Sequence, residues 1–356
     1  MATLTHSPHT RFHPAATASS PAERRGLARD EVRLLVATEE AIHHARFRDL
    51  PEYLASGDLL VVNDSATIAG QLDAVGSRLG RVVLHLASRL DDDSWVVEIR
   101  TAPDAARPVL DAEVGERIRV GGVIVRLREP WPKPDSSPTG RGNRLWRADA
   151  DGDLEAQAAR RGRPIAYGYL DRRYPLAAYQ SVFSRVPGSA EMPSAGRPFT
   201  RDLVERLEAR GIGIAAITLH TGVSSQEAGE APLAERFAVT AATAERVNAA
   251  HAGGGRVVAV GTTAVRALES AIEGDRVVER SGWTERVIGP EEPAVVVDGL
   301  VTGWHDPAAS HLLLVESVAG VDLTQRAYDA ASTEGYLWHE FGDSALLLPG
   351  PTRSRI

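Results

Sequence analysis

The spacing of apolar residues changes character twice along the chain. Up to Asn63 short apolar runs dominate. Arg33-Leu34-Leu35-Val36 reads as a strand, residues 47–54 as a turn and short helix, and Leu59-Leu60-Val61-Val62-Asn63 as a buried strand closed by a turn. From about Gly70 to Trp146 the runs alternate apolar with polar. Strands are expected at 81–86, 95–99, 116–120 and 123–127, separated by Gly, Asp and Pro turns with no helical period between them. That spacing predicts a small antiparallel β-barrel or sandwich. Beyond Asp151 helical periods return and alternate with apolar strands. Helices are expected at 201–210 (capped by Thr200), 240–252, 263–272, 308–318 and 323–331, and strands at 212–218, 256–260 and 295–301.

Such alternation means an α/β domain with a largely parallel sheet. The expected architecture is a barrel-like α/β domain built from both chain ends, residues 21–69 and 151–356, with an antiparallel β-barrel domain inserted at 70–150. Residues 1–20 carry His6, His9 and His13 among Ser, Thr, Pro and Ala, and read as a disordered tail with no apolar signal core.

Composition narrows the chemistry. The chain has 356 residues with 40 basic and 48 acidic side chains, a net charge of −8, and no cysteine. That excludes disulfides, a thiolate nucleophile, Cys-ligated zinc and iron–sulfur clusters, and radical S-adenosylmethionine chemistry with them. The single lysine, Lys133, lies in Trp131-Pro132-Lys133-Pro134, a poor setting for a Schiff base or a phosphate loop. No apolar run approaches the ~20 residues that cross a bilayer, so no membrane partner and a cytoplasmic location are expected. Nothing in the pattern sets the oligomeric state.

Ligands in α/β sheets gather where strands end in loops. Four segments are expected there: Thr218-Leu219-His220-Thr221-Gly222, Gly261-Thr262-Thr263, Thr302-Gly303-Trp304-His305-Asp306-Pro307 and Phe341-Gly342-Asp343-Ser344. The Gly-Thr-Thr turn opens a helix and suits an anionic group.

These residues belong to a longer ordered series. Arg29-Asp30-x-x-Arg33-Leu34-Leu35-Val36, Gly57-Asp58-Leu59-Leu60-Val61-Val62-Asn63-Asp64-Ser65, Tyr179-Gln180-Ser181-Val182-Phe183 and Pro193-Ser194-Ala195-Gly196 come first. Thr218-Leu219-His220-x-Gly222, Ala259-Val260-Gly261-Thr262-Thr263-x-Val265-Arg266, Gly282-Trp283-Thr284, Thr302-x-x-His305-x-Pro307 and Gly342-Asp343 follow. The series resembles the S-adenosylmethionine:tRNA ribosyltransferase-isomerase family of queuosine biosynthesis. The resemblance implies S-adenosylmethionine as co-substrate, no metal, and a tRNA partner bearing a wobble-position 7-aminomethyl-7-deazaguanine. The product would be epoxyqueuosine, with adenine and methionine released.

Such a reaction needs a base for a carbon beside the sulfonium, a proton donor for the departing purine, and donors for the methionine carboxylate. By loop position His220, His305, Asp343 and Asp298 form the acid/base set. Gly261, Thr262, Thr263, Arg266 and Thr218 form the cofactor-binding set. The acceptor is expected against Tyr167, Tyr169, Arg172, Tyr179, Gln180, Ser194, Ala195 and Gly196. Basic clusters at Arg24-Arg25, Arg141/Arg144/Arg147, Arg160-Arg161-x-Arg163 and Arg172-Arg173 are candidates for binding phosphates. Plainer readings stand beside these: a core-edge His220, turn residues Asp298 and Asp343, and an intrahelical Arg266–Glu269 pair.

Departures from the family pattern fall in the same region. Pro198 and Leu233 stand where the family has histidines, Val223-Ser224-Ser225-Gln226 replaces a Gly-Thr-Phe run, and of a His-x-Met-His-x-Glu motif only Glu235 remains. Neither Pro nor Leu can move a proton. A small-molecule acceptor in place of tRNA, and a binding protein without catalysis, are the alternatives this raises.

Overall fold

Neighbouring residues of the strands Arg33–Thr38 and Leu59–Asn63 bury on opposite faces of one sheet. Leu35, Ala37, Leu59 and Val61 join one apolar cluster, while Leu34, Val36, Leu60 and Val62 join another. A strand covered on both faces must be apolar throughout, which is why these runs do not alternate. Helices Ala241–Ala252, Thr262–Glu269, Ser310–Ala319 and Val321–Thr333 pack the first face, and helix Arg201–Ala209 packs the second. The computed structural model describes residues 7–14, 16–134, 142–223, 232–307 and 309–350. Arg141 and the departures at 224–226 lie outside the described residues.

The sheet has nine strands in the order Arg280–Thr284, Glu235–Val239, Gly213–Leu219, Leu59–Asn63, Val257–Val260, Gly299–Thr302, Ser344–Leu348, Arg33–Thr38 and Ile42–Arg46. The four strands from Gly213–Leu219 to Gly299–Thr302 run parallel to their neighbours in that group. Ser344–Leu348 then runs antiparallel to Gly299–Thr302 and parallel to Arg33–Thr38. The carboxyl ends of the central four therefore meet the amino ends of the next two along one edge. The loops of that edge hold the candidate site.

Between the strands Ser65–Thr67 and Val186–Ser189, which pair with each other, the chain makes a second body. Six strands between Gln71 and Ala150 close into an antiparallel barrel around Leu84, Leu86, Val97, Ile99 and Trp146. Among the described residues no helix is long and apolar enough to cross a membrane.

Two expectations are corrected. Residues 7–14 and 16–20 pack rather than forming a disordered tail. Thr10 gives its N–H and hydroxyl to Glu316 Oε1, each at 2.7 Å, Phe12 lies 4.5 Å from the Tyr328 ring, and Thr17 bridges to Trp338. A few contacts anchor this polar segment, too few for composition to show. The strand expected at 295–301 is confined to Gly299–Thr302, because the Val295 and Val296 N–H groups turn aside to the Glu269 carboxylate at 3.0 and 2.8 Å.

Candidate active site

Asn63 ends a central strand, and its amide clasps the two loops beside it. Its Oδ1 accepts from the N–H groups of Leu219 and Ser65, each at 3.0 Å. Its Nδ2 donates to the Leu219 carbonyl at 2.8 Å and to the Thr263 hydroxyl at 3.2 Å. One buried side chain thus ties the His220 loop to the Gly-Thr-Thr turn.

His220 leaves the strand Gly213–Leu219 half-buried. Its Nδ1 lies 2.7 Å from Ser65 Oγ, which lies 2.6 Å from Ser189 Oγ, and the Thr221 N–H donates to Ser189 Oγ at 3.1 Å. Both serines are fully buried. Gly188 makes room for the ring, since a Cβ there would come within 2.5 Å of Nδ1. Burial, then the Arg236 cation, pull the imidazole below its ordinary pKa of 6.5, against a smaller opposing pull from Asp64. The ring is therefore neutral at neutral pH and able to take a proton. Thr218 does not reach outward, because its hydroxyl donates to Asp64 Oδ1 at 2.6 Å.

Gly261 begins the next element with φ 90°, and a Cβ there would press within 3.3 Å of Ala195 Cβ. Both facts favour glycine. Thr262 and Thr263 open the helix behind it. Arg266 is not part of a carboxylate cradle. Its guanidinium is held by Glu235 and by the carbonyls of Leu233, Thr284 and Arg286 at 3.2–3.3 Å. Nor does it pair with Glu269. Glu235, the one acid kept from the altered motif, also accepts the Gly222 N–H at 3.1 Å.

His305 follows the strand Gly299–Thr302 at this edge, with Nε2 3.0 Å from the Thr302 hydroxyl and its ring stacked 5.1 Å from His311. Burial, with His311 and His339 beside it, pushes it down to about 3. Asp343 reaches the edge from the amino end of Ser344–Leu348, not from a strand's carboxyl end. Both of its oxygens are taken by backbone, by Arg33 N–H and Leu337 N–H at 2.8 Å each, so it ties the start of the strand Arg33–Thr38 to the Leu337 loop and does not orient His220. Asp298 precedes Gly299–Thr302 and lies at the opposite edge. It accepts from Val257 N–H at 2.8 Å and meets His251 at 3.1 Å, which removes it from the acid/base set.

The expected acceptor residues divide in the same way. Ser194, Ala195 and Gly196 form a tight turn, and the first two line a shallow recess with Pro198, Gly303, His339, Glu340 and Asp343. Tyr169 stacks 6.2 Å from Tyr167 and 4.7 Å from His339. Tyr179 is buried against Phe341, and Gln180 clasps Thr67 through both amide atoms, at 3.1 and 2.8 Å. Arg172 is exposed over the Tyr174 ring. Of the basic clusters, Arg144, Arg147 and Arg163 are engaged by Glu98, Asp92 and Asp73, while Arg160, Arg161, Arg172 and Arg173 are exposed.

The family model described as queuosine biosynthesis protein matches residues 11–347. The chain belongs to the queuosine biosynthesis protein family. It is 37% identical over 334 residues to an S-adenosylmethionine:tRNA ribosyltransferase-isomerase of Symbiobacterium thermophilum, covering 90% of this chain and 94% of that one. A Thermus thermophilus protein of the same description is 36% identical, covering 90% and 93%. The crystal structure of an S-adenosylmethionine tRNA ribosyltransferase from Thermotoga maritima is similar with a TM-score of 0.51 and 27% identity, covering 95% of this chain and 99% of that one.

Within this queuosine family member the described altered positions lie apart: Pro198 is in the wall of the recess, whereas the Leu233 carbonyl holds Arg266. Sequence reading missed Asn63, Ser189, Glu191 and Glu340 as site residues. The Asn-Asp-Ser turn after a buried strand could have drawn attention to Asn63. Nothing local marks the two glutamates: Glu191 accepts from the Tyr167 hydroxyl and Glu340 meets Tyr169 only through folding.

Proposed function

We propose that the protein acts as an S-adenosylmethionine:tRNA ribosyltransferase-isomerase. It moves the ribosyl part of S-adenosylmethionine onto the aminomethyl group of 7-aminomethyl-7-deazaguanine in tRNA and rearranges it to give epoxyqueuosine, with release of adenine and methionine. The observation that carries this reading is the Asn63 clasp, which sets a neutral, hydroxyl-supported imidazole beside a glycine-led helix start.

A sulfonium acidifies the hydrogens on the neighbouring ribose carbon, and His220 is the group able to take one. Ser65 and Ser189 can each donate or accept, so the ring stays oriented whether Nδ1 carries a proton or not. When Nδ1 donates to Ser65, the Nε2 lone pair is open to the substrate. The first turn of Thr262–Glu269 offers N–H groups and a helix dipole to the methionine carboxylate, a role that passes from Arg266 to backbone. Stacked Tyr167 and Tyr169 suit a flat base turned out of its stack, and exposed Arg160, Arg161, Arg172 and Arg173 suit tRNA phosphates.

Purified protein given S-adenosylmethionine and deazaguanine-bearing tRNA is expected to release adenine and methionine, and to release neither without the tRNA. Release that depends on a small acceptor and ignores tRNA would contradict the tRNA assignment.

A further inference from the structure

Two glutamates and an aromatic wall lie beside the recess at the catalytic edge, and these carboxylates have no part in the proton transfer at His220. Glu191 lies two residues beyond Ser189, its carbonyl accepts the Thr221 hydroxyl at 2.6 Å, and its carboxylate accepts the Tyr167 hydroxyl. Glu340 arrives from the C-terminal loop, lines the recess beside Ser194, and hydrogen-bonds Tyr169. Tyr167, Tyr169 and His339 form a continuous stack along this wall.

Two polar atoms here are buried with no hydrogen-bond partner. One is Glu340 Oε1, and the other is the hydroxyl of Tyr179, whose residue is 1% exposed. The Tyr179 ring packs 5.2 Å from Phe341, the residue that follows Glu340, and burial with the Glu340 charge pushes its phenol up. Burial and the neighbouring Glu191 push Glu340 itself up to about 8. Arg197, the cation that acts on Glu340, is already held by Glu23 and the Ala178 carbonyl. Glu340 Oε1 and the Tyr179 hydroxyl are thus unpartnered oxygens beside an aromatic wall. An ammonium supplies three donors to such oxygens, and a flat ring fits the wall.

We propose that Glu191, Glu340 and Tyr179, walled by the Tyr169 stack, bind a primary ammonium carried on a flat ring. Its identity as the aminomethyl group of the deazaguanine acceptor rests on the function proposed above. An aliphatic amino acid is the poorer occupant, because the Glu191 carboxylate repels its carboxylate and the aromatic wall finds no ring to meet.

The test titrates the full chain with two free bases, 7-aminomethyl-7-deazaguanine and its 7-methyl analogue, by calorimetry. The amine is expected to bind about tenfold tighter or more. Glu191→Gln and Glu340→Gln, each checked for native circular dichroism, are expected to erase that preference and leave the methyl analogue's affinity unchanged. Equal affinities in the wild type, or no amine binding at all, would overturn the proposal. Loss of S-adenosylmethionine affinity in the variants, with the amine preference kept, would overturn it by giving the pocket to the methionine ammonium. Ribosyl transfer is measured in parallel. An amine preference without transfer refutes the proposed function and leaves this site standing, whereas transfer without the preference refutes the site alone.

Discussion

His220 Nδ1 and Ser65 Oγ lie 2.7 Å apart, in a hydrogen-bonded row that continues to Ser189 and ends on the Thr221 N–H. The row engages Nδ1 and fixes the ring's direction, with Nε2 as the atom proposed to take the proton. His220→Gln is expected to slow adenine release by roughly 10²–10⁴-fold, the usual worth of general acid–base catalysis. Ser65→Ala keeps the imidazole but frees its orientation. It should lower the rate less and move the acidic limb of the pH–rate profile, while S-adenosylmethionine affinity stays unchanged. An unaltered rate in folded His220→Gln protein would return the residue to a structural role.

Arg266 belongs to the fold. It is 6% exposed and its charge answers Glu235, whose carboxyl burial pushes up and Arg266 pulls back. Arg266→Ala is expected to reduce unfolding stability by about 3–5 kcal/mol, since it strands a buried acid. Urea denaturation measures this. A loss of under about 1 kcal/mol together with weakened S-adenosylmethionine binding would restore the cradle reading.

His305 and His311 give stability a dependence on pH. Burial first, then neighbouring imidazoles for His305 and Arg266 for His311, push them down to about 3 and about 4 from an ordinary 6.5. The unfolded chain therefore binds more protons than the folded one below about pH 6.5, and stability falls as pH drops through that value. Between about pH 7 and pH 5 each ring should account for about 1–2 kcal/mol. Denaturation midpoints of wild type and His305→Asn at several pH values check this, with the variant showing the shallower slope. Parallel slopes would contradict it.

Replacing Arg160, Arg161, Arg172 and Arg173 by glutamine should weaken tRNA binding. It should also flatten its dependence on log salt by about one unit for each phosphate left without its arginine. Filter binding across a salt series reads both. An unchanged slope would place the tRNA elsewhere on the surface.

The sequence made the sheet's central strands legible because both faces are covered, so Leu59–Asn63 and Val257–Val260 read as unbroken apolar runs. It hid the strands Glu235–Val239 and Arg280–Thr284, whose exposed polar residues blur the pattern at one side of the sheet. Loop position placed His220, Gly261 and His305 after strands that end at one edge of the sheet. The same argument failed for Asp298, because an aspartate before a strand and one after it look alike until strand direction is known. Asp343 reached the right edge for another reason, the reversed direction of Ser344–Leu348. Arg266 misled because its partner Glu235 is thirty-one positions away, and helical spacing suggested Glu269 instead.

The most direct test of the account follows the carbon. S-adenosylmethionine labelled in the ribose of one sample and in the methyl group of another is incubated with the protein and deazaguanine-bearing tRNA. The account predicts that ribose label enters the tRNA base as adenine is released in equal amount, that methyl label leaves with methionine, and that His220→Gln suppresses all three events together. Methyl label in the tRNA, or adenine release with no ribose label in the base, would contradict it.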